Sequence, residues 1–103
     1  MENPQNVGLP FFAYGLFRPR QLAYFQIHEF VGLVDEPVEV EGSLRLRDGL
    51  PILDLEGRGL VKGALLTFSP ERAKDAYCRI SDMEPDEHYR WDKYYLDGTP
   101  INV

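Results

Sequence analysis

The sequence predicts a single α+β domain built on a curled sheet, and three observations carry that expectation. The chain has 103 residues, 44% of them hydrophobic, which suffices for one packed domain and is too short for two at roughly 100 to 200 residues each. Most of its apolar segments are short and bounded by turn residues, or alternate with polar residues, as strands do. A single clear segment, opened by Ser69-Pro70-Glu71, has a helical period instead.

The elements follow in chain order. Residues 1–8 (MENPQNVG) have the composition of a loose terminus to a domain spanning 1–103. Phe11 to Tyr14 is a short buried strand interrupted by Gly15, and Arg18-Pro19-Arg20 leads into Gln21 to Val31, where Leu22, Phe25 and Phe30 suggest an imperfect helix. From Val38 to Leu46 apolar residues alternate with Glu39, Glu41, Ser43 and Arg45, a strand with one apolar face. Asp48-Gly49 is a turn and Leu50 to Leu55 a return strand ended by Glu56-Gly57-Arg58-Gly59. Leu60 to Phe68 reads as a strand buried on both sides, with Gly63 marking a close backbone approach or a bulge. Ser69 is placed as N-cap and Pro70 at the first helical position. Ala73, Ala76, Tyr77 and Ile80 then form one apolar stripe, and Pro85 ends the helix near Glu84. Tyr89 to Leu96 is a second aromatic strand closed by Asp97-Gly98, and Ile101 to Val103 begins another.

Charge narrows the function classes. Seventeen acidic against 11 basic residues give a net charge of −6, and neither half of the chain is basic, so nucleic acid is not an expected partner. The lone Cys78 cannot form an internal disulfide. No basic residue precedes the apolar stretch near Phe11 in the manner of a signal peptide, and no apolar run approaches the roughly 18 residues of a membrane span. A soluble, cytoplasmic protein is expected, as monomer or homodimer.

Glu84 is the most informative single residue. It lies four positions after Ile80 and seven after Tyr77, so its carboxylate continues the apolar stripe. Desolvation there raises a carboxyl pKa and makes it a candidate proton-transfer group, against the plainer reading of a solvated helix end. Asp82, Asp86 and Glu87 crowd around it and, as like charges, favour its protonated form. With His88 they suggest a hard-cation loop, but Glu87 stands where a calcium loop of the EF-hand type needs glycine, and no metal site is expected. His28 and His88 read as ordinary surface or hydrogen-bonded histidines, and Cys78 as a small packing residue. Tyr14-Gly15-Leu16-Phe17, at the exit of the first strand, is the second candidate, because a glycine there lets backbone N–H groups converge on an anion.

Tyr14-Gly15, Gly42-Ser43-Leu44, Asp48-Gly49-Leu50-Pro51, Val61-Lys62-Gly63, Asp82-Met83-Glu84 and Tyr89-Arg90 occur in an order that resembles the γ-glutamylcyclotransferase-like family, from about Phe11 to Leu96. The resemblance implies a small mixed β-barrel with flanking helices. It implies an enzyme that cyclises a γ-glutamyl amide to 5-oxoproline and releases an amine or amino acid, with Glu84 as general acid/base and no metal or organic cofactor. Tyr14, Gly15, Leu16, Phe17 and Tyr89 are then the substrate-binding residues. Leu16 and Phe17 stand where the family has Ser or Thr followed by Leu, so backbone donors remain while a hydroxyl is lost. A non-catalytic module holding a small carboxylate or a peptide tail in the same pocket is the alternative.

Overall fold

The computed structural model describes residues 2–84 and 89–103. Its strands are β1 (Phe11–Ala13), β2 (Val31–Glu41), β3 (Ser43–Arg47), β4 (Leu50–Asp54), β5 (Leu60–Phe68), β6 (Lys93–Leu96) and β7 (Thr99–Asn102), with one α-helix, α1 (Ala73–Met83), between β5 and β6. Five strands form a mixed sheet in the order β2-β5-β1-β7-β6, while β3 and β4 pair as a separate hairpin. Among the described residues only β1 and β7 run parallel, meeting at Phe11 and Asn102.

The sheet curls. Among the described residues no backbone ladder joins its outer strands β2 and β6, but the Glu41 N–H at the end of β2 donates to the Tyr94 hydroxyl on β6 at 3.2 Å. Inside the curl Phe12, Val40, Val61 and Ile101 are buried, and Tyr14, Val38, Leu53, Leu65 and Tyr94 pack around them. On the outer face Phe11, Ala13, Leu66 and Phe68 lie under the α1 stripe of Ala73, Ala76, Tyr77 and Ile80. Phe12 and Phe11 thus serve opposite cores, as the two-residue period of a strand requires. Burying each large side chain of this kind stabilises the fold by about 1.5–3 kcal/mol. Tyr77 packs edge-on against Phe11, Phe68 and Trp91, and its hydroxyl is satisfied by the Leu9 carbonyl. The Trp91 indole N–H donates to the buried Ser81 hydroxyl at 3.1 Å, which fixes the chain after α1 against the helix.

Several expectations are revised. Residues 21–31 form no α-helix; they form two 3₁₀ turns, Leu22–Gln26 and His28–Phe30, and across the segment Ala23, Ile27 and Phe30 are buried, Tyr24 and Val31 pack against the core, and Leu22 and Phe25 are exposed. The Val38 to Leu46 segment is two strands. At Gly42 (φ 153°) a Cβ would come within 2.7 Å of the Asp54 carbonyl oxygen, and beyond this break Leu44 and Leu46 face outward instead of inward. β5 is covered on both faces only from Ala64 to Leu66, and Leu60, Lys62 and Thr67 are exposed. Ser69 is not the N-cap: its N–H donates to Phe30 O and its carbonyl accepts from the Arg72 N–H, so a turn intervenes and α1 starts at Ala73. β6 begins at Lys93, later than Tyr89, since Tyr89 and Trp91 direct their polar groups to β4 and α1. The strand anticipated at Ile101 to Val103 is β7, which starts at Thr99, forms a hairpin with β6 and lies beside β1. The N-terminal residues are irregular yet tied down: Asn3 bonds Cys78 Sγ and the Asn102 side chain donates to Asn6 O.

Candidate functional site

A cavity of about 80 Å³ opens where the end of α1, the loop after β1 and the start of β4 meet. All six residues singled out in the sequence line it: Tyr14, Gly15, Leu16, Phe17, Glu84 and Tyr89. Positions 14–17, 84 and 89 are far apart in the chain, and only the fold brings them together.

Glu84 reaches the cavity because of how the helix ends. Its N–H still closes the last turn on Ile80 O at 3.1 Å, but its backbone is extended (φ −89°, ψ 136°), the conformation favoured before proline. The side chain therefore leaves the helix direction and lies beside Ile80 at the cavity wall. Burial pushes its carboxyl above the ordinary glutamate value. The charge crowding anticipated from Asp86 and Glu87 involves residues outside those described, as does His88. Among the described residues no group of His, Cys, Asp and Glu is arranged to hold a metal ion.

Loop 15–17 is oriented by its carbonyls. Gly15 O accepts both the Arg18 N–H (3.2 Å) and the Arg18 Nε–H (3.0 Å), and Leu16 O accepts the Ala23 N–H (3.0 Å). In a trans peptide the N–H points opposite to the preceding C=O, so the N–H groups of Leu16 and Phe17 are turned away from the 18–23 connection. Among the described residues no group accepts from the N–H of Gly15, Leu16 or Phe17. Gly15, Leu16 and Phe17 line the cavity, and backbone N–H groups in such a turn can donate to an oxygen or carboxylate. The Phe17 ring is buried against Phe11, which also lines the cavity. The Leu16 side chain is 48% exposed at the mouth. A Cβ at Gly15 would touch Pro51 Cγ at 3.4 Å, so the loop lies close against β4.

Two tyrosine hydroxyls complete the polar lining. Tyr14 accepts a hydrogen bond from the Leu53 N–H at 3.3 Å, and Tyr89 donates to Pro51 O at 2.7 Å. Burial is the main cause that raises the Tyr14 pKa; the Leu53 bond opposes it and the Glu84 charge adds to it. Tyr89 is pushed up to about 12, by burial first and then by Glu84 and Tyr14. Both phenols therefore stay protonated at neutral pH and sense the same carboxylate.

The sequence reading missed the walls. Leu50 and Pro51 from β4, Trp91, and the exposed Arg90, which pairs with Asp92 at 3.7 Å, also line the cavity. Asp48-Gly49-Leu50-Pro51 and Tyr89-Arg90 stood out as motifs, but nothing in their spacing shows that they face Glu84. Among the described residues no helix is long and apolar enough to cross a membrane. Comparison with protein-family models, with curated proteins and with solved structures returns no match.

Proposed function

We propose that the protein is a γ-glutamylcyclotransferase-like enzyme that converts a γ-glutamyl amide to 5-oxoproline and an amine or amino acid. The observation that carries this reading is the shared cavity, lined both by Glu84, whose carboxyl pKa is raised by burial, and by the Gly15 to Phe17 loop, whose N–H groups have no acceptor among the described residues. The chemistry needs those two elements. A carboxylate with a raised pKa can take a proton from the substrate's α-amine as the nitrogen attacks the γ-carbonyl carbon, then return it to the departing amine. Backbone donors can hold the substrate folded, and because nucleophile and electrophile belong to one molecule, orientation alone supplies up to about 7–11 kcal/mol of the barrier. No cofactor enters this scheme. The finer fold that goes with it is a small mixed β-barrel with flanking helices, supported by the Glu41 to Tyr94 hydrogen bond across the sheet's outer strands. A cytoplasmic location goes with it too.

Incubation with a panel of γ-glutamyl amino acids, γ-glutamylamines and glutathione, with assay of 5-oxoproline, tests the proposal. Product is expected from at least one substrate, and Glu84→Gln is expected to lower kcat by about 10²–10⁴-fold, the usual contribution of a general acid/base. Equal turnover by Glu84→Gln would remove the assigned role, and no product from any substrate would overturn the activity. Leu16, which leaves an apolar side chain half exposed at the mouth where the family has a hydroxyl, favours a second reading as a binding module. Tight 5-oxoproline binding without turnover of any amide would decide for it.

A further inference from the structure

The two site tyrosines differ in the sense of their hydrogen bonds, and β4 sets that difference. β4 is paired on one side only, with Leu46 opposite Pro51 and Leu44 opposite Leu53. Alternate residues of an antiparallel strand direct both their N–H and C=O to the same side. Pro51, which has no N–H, and Leu53 therefore present the unpaired edge, and the site tyrosines satisfy it: Tyr89 donates to Pro51 O, whereas Tyr14 accepts from the Leu53 N–H. The Tyr89 proton is committed to that bond. The Tyr14 proton is not, and among the described residues no group accepts it. The phenol ring itself is fixed by packing on Phe12 at 6.1 Å between centroids.

We propose that the Tyr14 hydroxyl is a hydrogen-bond donor to the carbonyl oxygen of the ligand in this cavity, acting beside the loop N–H groups. Accepting the Leu53 N–H polarises the O–H and strengthens it as a donor. For the reaction step, this inference rests on the cyclotransferase reading. The α-amine nitrogen forms its bond to the γ-carbon while its proton passes to Glu84. The carbonyl π electrons move onto oxygen and are held there by Tyr14. They return as the bond to the leaving nitrogen breaks and Glu84 delivers the proton to that nitrogen. For binding alone, the inference needs only a carbonyl-bearing ligand such as 5-oxoproline.

The test uses two replacements at position 14, turnover of the γ-glutamyl panel, and 5-oxoproline binding by calorimetry. Tyr14→Phe is expected to lower kcat by about 10²–10³-fold, the cost of one oxyanion donor, with little change in KM, and to weaken 5-oxoproline binding. Because that change also strips Leu53 of its acceptor, 3-fluorotyrosine placed site-specifically separates the roles, being a stronger donor and a poorer acceptor. It is expected to bind 5-oxoproline more tightly than the parent. Weaker binding by the fluorinated protein, or a Tyr14→Phe protein with parental kcat and affinity, would overturn the proposal. Should the parent bind 5-oxoproline yet turn over nothing, the enzymatic reading fails and the sign of the fluorotyrosine effect still decides this one. A parent that neither binds nor turns over would sink both.

Discussion

At the scale of single residues, Glu84 joins three properties usually argued separately: an extended backbone set by the following proline, a place at the end of an apolar stripe, and a carboxyl held above its ordinary value by burial. The pH consequence has a definite sign. In the unfolded chain the group titrates near 4.5, and in the folded chain it keeps its proton to higher pH. The folded state binds more protons between those two values, so the carboxyl costs stability as pH rises through that window, and the full cost persists above it. Glu84→Gln should therefore gain in urea midpoint relative to the parent on going from about pH 4 to about pH 8. A difference that stays flat would mean a solvated carboxylate. For the proposed reaction, the same displacement would place the acidic limb of kcat/KM above the ordinary glutamate range, and a limb at or below 4.5 would exclude Glu84 as the base.

At the scale of elements, β5 shows how a strand in the middle of a curled sheet is specified. Gly63 lies where β5 crosses β1, and a Cβ there would collide with Ala13 O and come within 2.9 Å of the Phe12 ring. Backbone cannot retreat at the centre of a ladder, so Gly63→Ala is expected to destabilise by about 2 kcal/mol or more, within the range of overpacked cores. Chemical denaturation measures this directly; an unchanged midpoint would show that β1 can slide. Gly63 and the α1 stripe were legible in the sequence because each signal is local: a missing Cβ, and a period of 3.6 residues. The 3₁₀ turns were not legible. Leu22 and Phe25 have the spacing of a buried face and yet are exposed, since the residues that anchor this segment, Ile27 and Phe30, are chosen by contact with a helix more than 40 positions later. Arg72, just before that helix, and Arg79 within it lie over the Phe30 ring at 4.6 and 5.5 Å.

At the scale of the whole molecule, a radius of gyration of 12.6 Å matches the roughly 13 Å of a compact 100-residue domain. The curl is held across its open side by the Glu41 N–H to Tyr94 hydroxyl bond. Tyr94→Phe keeps the ring in the inner core and removes that bond, so stability should fall by about 0.5–1.5 kcal/mol, with faster hydrogen exchange at the Glu41 amide. Exchange at Glu41 unaltered by the substitution would show that the outer strands are held by packing alone. The hairpin β3–β4 depends on the same curl: Leu53 packs on the inner core, while Tyr14 and Tyr89 bond the edge that β3 leaves free.

By itself the sequence determined the class of the fold, the turn at Asp48-Gly49, the helix stripe and its end at Glu84, and the two segments from which a site could be drawn. Those features are written in composition, period and the stereochemistry of glycine and proline, all of which act within a few residues. Tertiary structure alone decided that Glu84, the Gly15 loop, Tyr14 and Tyr89 share one cavity, that Pro51 and Trp91 wall it, and that the two hydroxyls face β4 in opposite senses. The two hydroxyl bonds span 39 and 38 positions, and the cavity joins Tyr14 to Tyr89, 75 positions apart. They depend on how two cores fill the opposite faces of one curled sheet, which no local pattern encodes.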